Sequence, residues 1–522
     1  MGPVAAPRRY RAAAVEALLV AGLLAAVPLV HRPGPLLAAP YWLDESWVAV
    51  SARAPLGQLP WVTASTPLGW TLLVHGWPAG QSARLVPLAF LAGTVLAGYA
   101  LGRGLGWPGR GTARVAGVAA ALAALLLPAQ QDRHDLKQYT ADAAAAVALL
   151  ALCARAEART GPAGRGRPAR TGAGLGLAIG AAMLVSHVAA LAGVAVLVAV
   201  TARAAIGRYP WRALAVLAGT AVPAMAAVYL LADRAGRTGA LSAYWAGWFP
   251  SPGRLPGYLV ARFGALTPAL GLPWPAYLAL AGLGVAVLAR YGRPATALAA
   301  GTLPVLAVAA GVAGRYPLLE QRTSHGLLVT GAVLGGLGLA GAGHATARAL
   351  LGPGRPAVVT LAVVLALAFG GYALANAGAL ARPPVPGQPG EDVRAQVGHL
   401  ARYRRPGDVV LVNMSGQYGF GWYWPGPAPR FVPGATGLAI GWRLRYPDGD
   451  RIVIAAGRDP ASVAQALRSA DELARGPGGT GRIWLVRSHL DAAEALAWSA
   501  ALAGRSVVTV PVGVEPLALL PG

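Results

Sequence analysis

Two adjacent carboxylates, Asp44 and Glu45, follow shortly after the first long apolar stretch of the chain. A carboxylate beside a substrate hydroxyl can take the proton of that oxygen as it attacks, which is general-base catalysis. The same acids at the start of a helix would cap the helix and interact with its dipole. Taken alone, the pair is therefore compatible with a catalytic role and with a structural one.

A second cluster surrounds Lys137, in a connection that is dense in ionisable side chains. The segment from Gln131 to Asp142 reads Gln-Asp-Arg-His-Asp-Leu-Lys-Gln-Tyr-Thr-Ala-Asp, and Lys137 is the only lysine of the chain. A compact ammonium group is not interchangeable with arginine where it must meet a phosphate. The alternative is a solvated turn whose charges balance one another.

Two arginines, Arg315 and Arg322, lie in the connection 314–324. The charge pattern described below assigns this connection to the outer side of a membrane, where arginine is otherwise scarce. Arginines in that position indicate an anionic partner. The alternative is that they pair with Glu320 or with the C-terminal region.

The composition indicates that a membrane surrounds these residues. Hydrophobic residues make up 56% of the 522 residues, charged residues only 12%, and the mean hydropathy is +0.52. The net charge of +24 does not indicate nucleic acid, because the arginines alternate with apolar spans in the positive-inside pattern. A single cysteine, Cys153, excludes a disulfide framework.

We predict about eleven transmembrane helices, each near the length that crosses a bilayer. Their approximate positions are 12–30, 84–102, 113–129, 140–156, 173–187, 188–203, 212–231, 273–290, 295–313, 324–342 and 358–378. The arginine-rich connections all fall on one side if the N-terminus is cytoplasmic, so we expect a multi-pass protein of a bacterial plasma (inner) membrane. The first span is expected to remain uncleaved.

Residues 172–203 join two strongly basic connections, and both can be cytoplasmic only if this stretch crosses twice. We therefore predict two short helices that turn near Ser186 and His187. A single long tilted helix is the alternative, and it would invert everything downstream.

The carboxylates of the membrane part concentrate on the outer side under this topology. Span centres contain almost no ionisable residues, which argues against an ion-coupled transporter. The outer acids are Asp44, Glu45, Asp132, Asp135, Asp142, Asp233 and Glu320, whereas Glu16 and Glu157 lie elsewhere.

The predicted organisation is a membrane domain over 1–380, a proline-rich linker over 381–390 and an extracytoplasmic α/β domain over 391–522. An aromatic segment, 417–425, could stack on a sugar or pack against the membrane domain. The predicted α/β elements are helices at 391–404, 461–474 and 491–502, and strands at 408–414, 451–455, 482–487 and 506–512.

Four of these segments, in this order, resemble the GT-C glycosyltransferases, polytopic enzymes that use a polyprenyl-phosphate sugar as donor. Protein O-mannosyltransferases and lipid A aminoarabinose transferases belong to this group. Asp135 stands where bacterial members have Glu, and the usual His before the Pro-Leu is absent. The segments are Asp44-Glu45, Thr66-Pro67-Leu68-Gly69-Trp70-Thr71-Leu72-Leu73, Ala83-Arg84-Leu85-Val86-Pro87 and Asp135-Leu136-Lys137-Gln138-Tyr139-Thr140-Ala141-Asp142, with Tyr316-Pro317 and Arg322 as a weaker fifth piece.

The resemblance implies an inverting sugar transfer at the outer leaflet, to a glycan, lipid or protein acceptor, in assembly of the cell envelope. Asp44 would be the general base, and Glu45 would orient it, bind the acceptor or help to hold a metal. A divalent cation is compatible with these carboxylates, but no ligand spacing demands one. The residues implied around the donor phosphate are Lys137 and Arg322 as cations, Tyr139 and Gln138 as hydrogen-bond donors, and His134 and Arg315 as further candidates.

Two other functions stay open at this stage. One is a transporter or flippase for lipid-linked glycans, which would be expected to show charges in mid-membrane and internal repeats. The other is a non-catalytic assembly factor that keeps the fold. Neither requires an acid in the position of Asp44.

Overall fold

The computed structural model describes residues 6–63, 65–77, 80–160, 167–233, 243–382, 391–434 and 441–521, and the first part is built from helices. The helices of that part are α1 Ala6–His31, α2 Pro33–Ala38, α3 Leu43–Ala52, α4 Leu59–Val62, α5 Leu68–His75, α6 Leu85–Arg103, α7 Arg110–Leu125, α8 Tyr139–Thr160, α9 Pro168–Met183, α10 Val188–Ala205, α11 Trp211–Val228, α12 Leu255–Leu270, α13 Trp274–Arg290, α14 Pro294–Val312, α15 His325–Leu351, α16 Arg355–Ala375 and α17 Ala377–Leu380.

A helix occupies every segment that was predicted to span the membrane, as expected where the backbone must satisfy its own hydrogen bonds. In the described part of the chain, 7 helices are long and apolar enough to cross a bilayer, or up to 8 if the bent pair of α12 and α13 is one span. A helical, multi-pass membrane domain is thus confirmed. The figure of eleven spans stays a prediction.

The predicted turn near Ser186 and His187 is confirmed, because α9 ends at Met183 and α10 begins at Val188. Asp142 of α8 stabilises the break. Its Oδ1 accepts hydrogen bonds from the Ser186 hydroxyl at 2.7 Å and from the Val188 N–H at 3.3 Å. A carboxylate thus satisfies a backbone donor that the first turn of α10 leaves without a helical partner.

The stretch between the predicted spans 212–231 and 273–290 contains α12 in its second half. The helices α12 and α13 meet at 83°. Gly271, at a φ of 71° that suits glycine, ends α12, and the Tyr372 hydroxyl donates to the Leu270 carbonyl at 2.8 Å. The side chain of Asp233 lies outside the described residues.

The ion pairs of Glu16 show that the end of α6 and the start of α7 lie together. It pairs with Arg103 at the end of α6 and with Arg114 at the start of α7, each at 2.9 Å. These two arginines were predicted to share one face of the membrane, and the structure places them together. Which compartment they face stays a prediction.

The C-terminal part is an α/β unit, as predicted. Its main sheet has the order β4-β1-β5-β7-β6, in which β4, β1 and β5 are parallel and β7 is antiparallel to both of its neighbours, while β2 and β3 form a separate hairpin. The strands are β1 Val409–Val412, β2 Arg430–Pro433, β3 Trp442–Arg445, β4 Ile452–Ile454, β5 Ile483–Val486, β6 Val508–Val510 and β7 Leu517–Leu520, and the helices are α18 Val393–Tyr403, α19 Gly416–Tyr423, α20 Pro460–Arg475 and α21 Ala492–Ala501.

The hydrophobic core on one face of this sheet is shared with the connection that follows α1. Val50, Ala54, Leu59 and Val62 are buried in the same cluster as α18, α19 and Trp442. The aromatic segment 417–425 therefore packs as a structural element. Residues 383–390 of the predicted linker lie outside the described residues, so its boundaries stay a prediction.

Candidate active site

The site forms where three connections of the membrane part meet. Asp44 lies in the first turn of α3, Lys137 precedes α8 and Arg322 precedes α15. The Arg322 Nη1 lies 3.3 Å from the Asp44 Oδ2, and the Lys137 Nζ lies 4.0 Å from the Asp44 Oδ1. One carboxylate, with 18% of its side chain exposed, is thus held between two cations that come from distant parts of the chain.

Lys137 is held rigidly for a lysine. Its Nζ donates to the Ser65 hydroxyl at 2.8 Å and lies 4.3 Å from the centre of the Trp47 ring. Burial lowers the pKa of Lys137, and the Asp44 carboxylate opposes that shift. The ammonium therefore has little water around it, with 4% of its side chain exposed.

Arg322 is fixed by its neighbours on several sides. Its Nε donates to the Glu320 Oε1 at 2.9 Å, and its Nη2 donates to the Tyr244 hydroxyl at 3.4 Å. Burial lowers the pKa of Arg322, but Tyr139, Glu320 and Asp44 together raise it above its ordinary value. The guanidinium is therefore a permanent positive charge at the site.

Glu45 faces away from these cations, although it is adjacent to Asp44. It is fully buried and forms a two-point ion pair with Arg84, whose Nε donates to Oε1 at 2.7 Å and whose Nη2 contacts Oε2. The Leu136 N–H also donates to Glu45 at 3.1 Å. Burial raises the pKa of Glu45 to about 7, against the opposing effect of Arg84. This carboxylate is committed to the protein interior.

The remaining predicted residues divide into near and distant ones. Gln138 and Tyr139 are buried beside Lys137, and Tyr139 lies close enough to Arg322 to interact electrostatically. His134 instead pairs with His31, with 2.9 Å between the His134 Nε2 and the His31 Nδ1. Arg315 is exposed, and its side chain forms no ion pair with a described residue.

Solved structures with the same arrangement of helices match this chain over most of its length. ArnT from Cupriavidus metallidurans in the apo state matches with a TM-score of 0.54 and 16% sequence identity, over 98% of this chain and 98% of ArnT. The chain has the GT-C fold. The resemblance read from four short segments is thereby confirmed at the level of the fold.

Two further GT-C structures match in the same way. ArnT from Cupriavidus metallidurans bound to undecaprenyl phosphate matches with a TM-score of 0.53 and 16% identity, over 96% of this chain and 97% of ArnT. The apo oligosaccharyltransferase of Archaeoglobus fulgidus matches with a TM-score of 0.50 and 13% identity, over 89% of this chain and 69% of that one. No protein-family profile and no curated protein matches the sequence.

Trp70 and Arg84, from the second and third segments of the GT-C resemblance, hold the chain segments that carry the candidate site residues. The Trp70 indole of α5 donates to the Leu136 carbonyl at 3.3 Å and so anchors the connection that bears Lys137. Arg84 also donates to the carbonyls of Leu36 and Ala39, each at 2.6 Å, and to Pro40 at 2.8 Å. These contacts fix the chain segment that leads into α3.

Asp135 is a further candidate site residue, which belongs to a motif of the GT-C resemblance that implies no role for it. It is buried, its two carboxylate oxygens have no hydrogen-bond partner in the described part of the chain, and Arg133 lies 4.0 Å away. Burial raises the pKa of Asp135, Arg133 opposes the rise, and Asp44 adds to it. The motif position was the available signal, but the lack of partners could be seen only in three dimensions.

The structure contains no candidate metal centre built from three or more His, Cys, Asp or Glu residues among those described. A divalent cation, with which the carboxylates are compatible, therefore stays a hypothesis without a defined ligand set.

Proposed function

We propose that this chain is a membrane glycosyltransferase that moves a hexose or pentose from a polyprenyl-phosphate donor to an extracytoplasmic hydroxyl acceptor, with inversion at the anomeric carbon. The observation that carries the proposal is the position of Asp44 between Lys137 and Arg322. A base and two phosphate-binding cations are the groups that this reaction needs within one site.

In the proposed step, the acceptor oxygen attacks the anomeric carbon from the face opposite the phosphate. The bond between that carbon and the phosphate oxygen breaks, and its electron pair leaves with the lipid phosphate. Asp44 takes the proton of the acceptor hydroxyl. Lys137 and Arg322 neutralise the charge that grows on the phosphate, and the buried Gln138 and Tyr139, next to Lys137 in the chain, would donate hydrogen bonds to it.

Asp44 now serves as the counter-ion of both cations. A bound phosphate monoester would compete for Lys137 and Arg322 and so release the Asp44 carboxylate to act as a base. Donor binding would in this way activate the base. Glu45 has a supporting role. His134 and Arg315 contribute less, because they lie outside the cluster formed by Asp44, Lys137 and Arg322.

The comparisons support the class of donor. One of the matching ArnT structures is bound to undecaprenyl phosphate, which is a polyprenyl phosphate. We place the N-terminus in the cytoplasm and the C-terminal domain outside the plasma membrane, which is the orientation that the arginine distribution favours. The acceptor would be a glycan, lipid or protein of the cell envelope.

The test is sugar transfer from radiolabelled polyprenyl-phosphate sugars by the purified chain in proteoliposomes. Asp44→Asn is expected to lower the transfer rate by about 10² to 10⁴-fold, the usual contribution of a general base, and to retain donor binding. Arg322→Met is expected to weaken binding of the lipid phosphate itself. Asp132→Asn, which removes an exposed carboxylate from a connection of the same site, is the matched control.

If Asp44→Asn still transfers sugar, Asp44 is not the general base, and Asp135 would be tested next. Absence of transfer by the native chain from every donor would favour the transporter or the assembly factor instead.

A further inference from the structure

The C-terminal domain contacts the helix that bears Asp44. The Oε2 of Glu391, the first residue described after the linker, accepts a hydrogen bond from the backbone N–H of Leu43 at 2.8 Å. Leu43 is the first residue of α3 and the immediate neighbour of Asp44. The carboxylate of Glu391 is nearly buried, with 7% of its side chain exposed.

This contact supplies a cap that α3 lacks. The first N–H groups of a helix have no partner within the helix, and a polar side chain at the N-cap usually satisfies one of them. The N-cap of α3 is Trp42, which forms no side-chain cap hydrogen bond. Glu391, more than three hundred positions away in the sequence, satisfies the Leu43 N–H in its place.

A histidine holds Glu391 in position. The Nδ1 of His489 lies 2.6 Å from the Glu391 Oε1. The backbone N–H of His489 donates to the Glu515 Oε1 at 2.9 Å. His489 follows β5 and has a φ of 54°, a left-handed conformation that non-glycine residues adopt at a cost. Such strain persists only where the surroundings determine the conformation strongly.

The interface around this pair is closely packed. A cavity with room for about one water molecule lies between the two domains. Its polar lining comes from both sides, with Tyr41 and Ser46 from the membrane domain and Glu391, Ser415 and Ser488 from the C-terminal domain. With so little free space, a shift of Glu391 would be transmitted to α3.

We propose that Glu391 and His489 form a positioning pair through which the C-terminal domain sets the place of Asp44. Glu391 caps α3 across the domain interface, and His489 orients Glu391. Neither residue touches the reacting atoms. The effect on catalysis rests on the proposed function, whereas the effect on α3 does not.

The charges around His489 predict how this pair responds to pH. The hydrogen bond that His489 donates to Glu391 raises the pKa of His489, burial and Arg458 oppose the rise, and Asp44 adds to it. Glu515 also contacts His489, through the backbone N–H of that residue. Because the folded-state pKa is raised, the attraction between His489 and an ionised Glu391 is fully present below the ordinary pKa of histidine and weakens as the pH rises through the raised value.

The experiment measures hydrogen–deuterium exchange of the peptide 41–50 in the purified full-length chain, together with kcat and KM for sugar transfer. Glu391→Ala is expected to raise amide exchange at Leu43 and to lower kcat by about tenfold at unchanged donor KM, since a small misplacement of a catalytic group is costly. Glu391→Gln keeps an acceptor oxygen and is expected to restore most of both. Arg394→Ala is the matched control, because Arg394 of α18 donates to the Ala38 carbonyl across the same interface without contacting α3.

The native chain is expected to lose kcat as the pH rises through the pKa of His489, and His489→Gln should flatten that alkaline decline. The proposal is overturned if Glu391→Ala leaves exchange and kcat equal to those of Arg394→Ala, or if it lowers thermal stability with no change in kcat. If the native chain transfers no sugar while Glu391→Ala still raises exchange at Leu43, the proposed function fails and the capping of α3 stands.

Discussion

At the scale of single residues, two neighbouring acids have different surroundings. Asp44 faces Lys137 and Arg322, whereas Glu45 is fully buried against Arg84. Adjacent positions of a helix point in directions about 100° apart, so a pair of acids cannot occupy the same environment. Both acids could be singled out from the sequence, but only the position of Arg84 shows that Glu45 is the one buried in an ion pair.

The ion pair of Glu45 and Arg84 leads to a prediction about stability. Removing one partner of a buried pair leaves an uncompensated charge, which typically costs about 3–5 kcal/mol. Arg84→Met is therefore expected to lower the apparent melting temperature of the detergent-solubilised protein by several times the effect of Glu472→Gln. Glu472 is exposed on α20, and its substitution is expected to change stability by less than about 0.5 kcal/mol. Equal melting temperatures for the two variants would show that the pair contributes little.

At the scale of elements, helices were predictable wherever apolar runs are long, but their close approach was not. Gly172, Gly176 and Gly180 lie on one face of α9, and a Cβ at any of them would collide with α11. The contacted groups are the Ala213 carbonyl, the Thr220 hydroxyl and the Ala224 methyl. Small residues at a spacing of four allow helix backbones to approach closely within a membrane.

This packing leads to a prediction at the same scale. Gly176→Leu is expected to separate α9 from α11 and to lower the yield of folded protein, because overpacking a close contact typically costs about 1–3 kcal/mol or more. Gly174 lies on the same helix, and a Cβ added to it would meet no other atom within 4 Å, so Gly174→Leu should behave like the native chain. The check is the fraction of monodisperse protein in size-exclusion chromatography. Equal fractions for the two variants would show that the glycine face is not needed.

At the scale of the whole molecule, the connection that follows α1 belongs structurally to the C-terminal domain. Val50, Leu59 and Val62 complete a core that also contains Phe420 and Trp442. Hydrogen bonds reinforce this contact. The Trp442 indole donates to the Val62 carbonyl at 3.0 Å, and the Tyr41 N–H donates to the Tyr423 hydroxyl at 2.7 Å. The domain that carries no candidate catalytic residue therefore holds the segment that carries Asp44.

Because the membrane domain and the C-terminal domain share this core, we expect them to stay associated after the chain between them is cut. A protease site inserted after Arg382 and cleaved in the purified protein should leave two fragments that co-purify in detergent. Burial of the apolar side chains from 50–62 against the C-terminal domain supplies the attraction. A quadruple substitution of Val50, Ala54, Leu59 and Val62 by serine should release the C-terminal fragment after cleavage. If the native halves separate as well, the interface is weaker than its packing implies.

Features that depend on local composition were predictable from the sequence. Apolar runs of membrane-spanning length, arginine-rich connections and the break near Ser186 could be predicted because each is encoded in a continuous stretch of chain. Short strands such as β7, and the helix α12, were missed because tertiary packing stabilises them against weak local preference. The candidate site residues were found through motifs that keep their order along the chain.

How those residues lie relative to one another depends on the folding of the whole chain. Asp44, Lys137 and Arg322 are distant in the sequence, and their separations of 3.3 Å and 4.0 Å depend on how three connections fold onto each other. The same holds for Glu391, which caps α3 from the far end of the chain. Electrostatic and hydrogen-bond energies depend on distance in space, and a sequence specifies that distance only once the chain has packed.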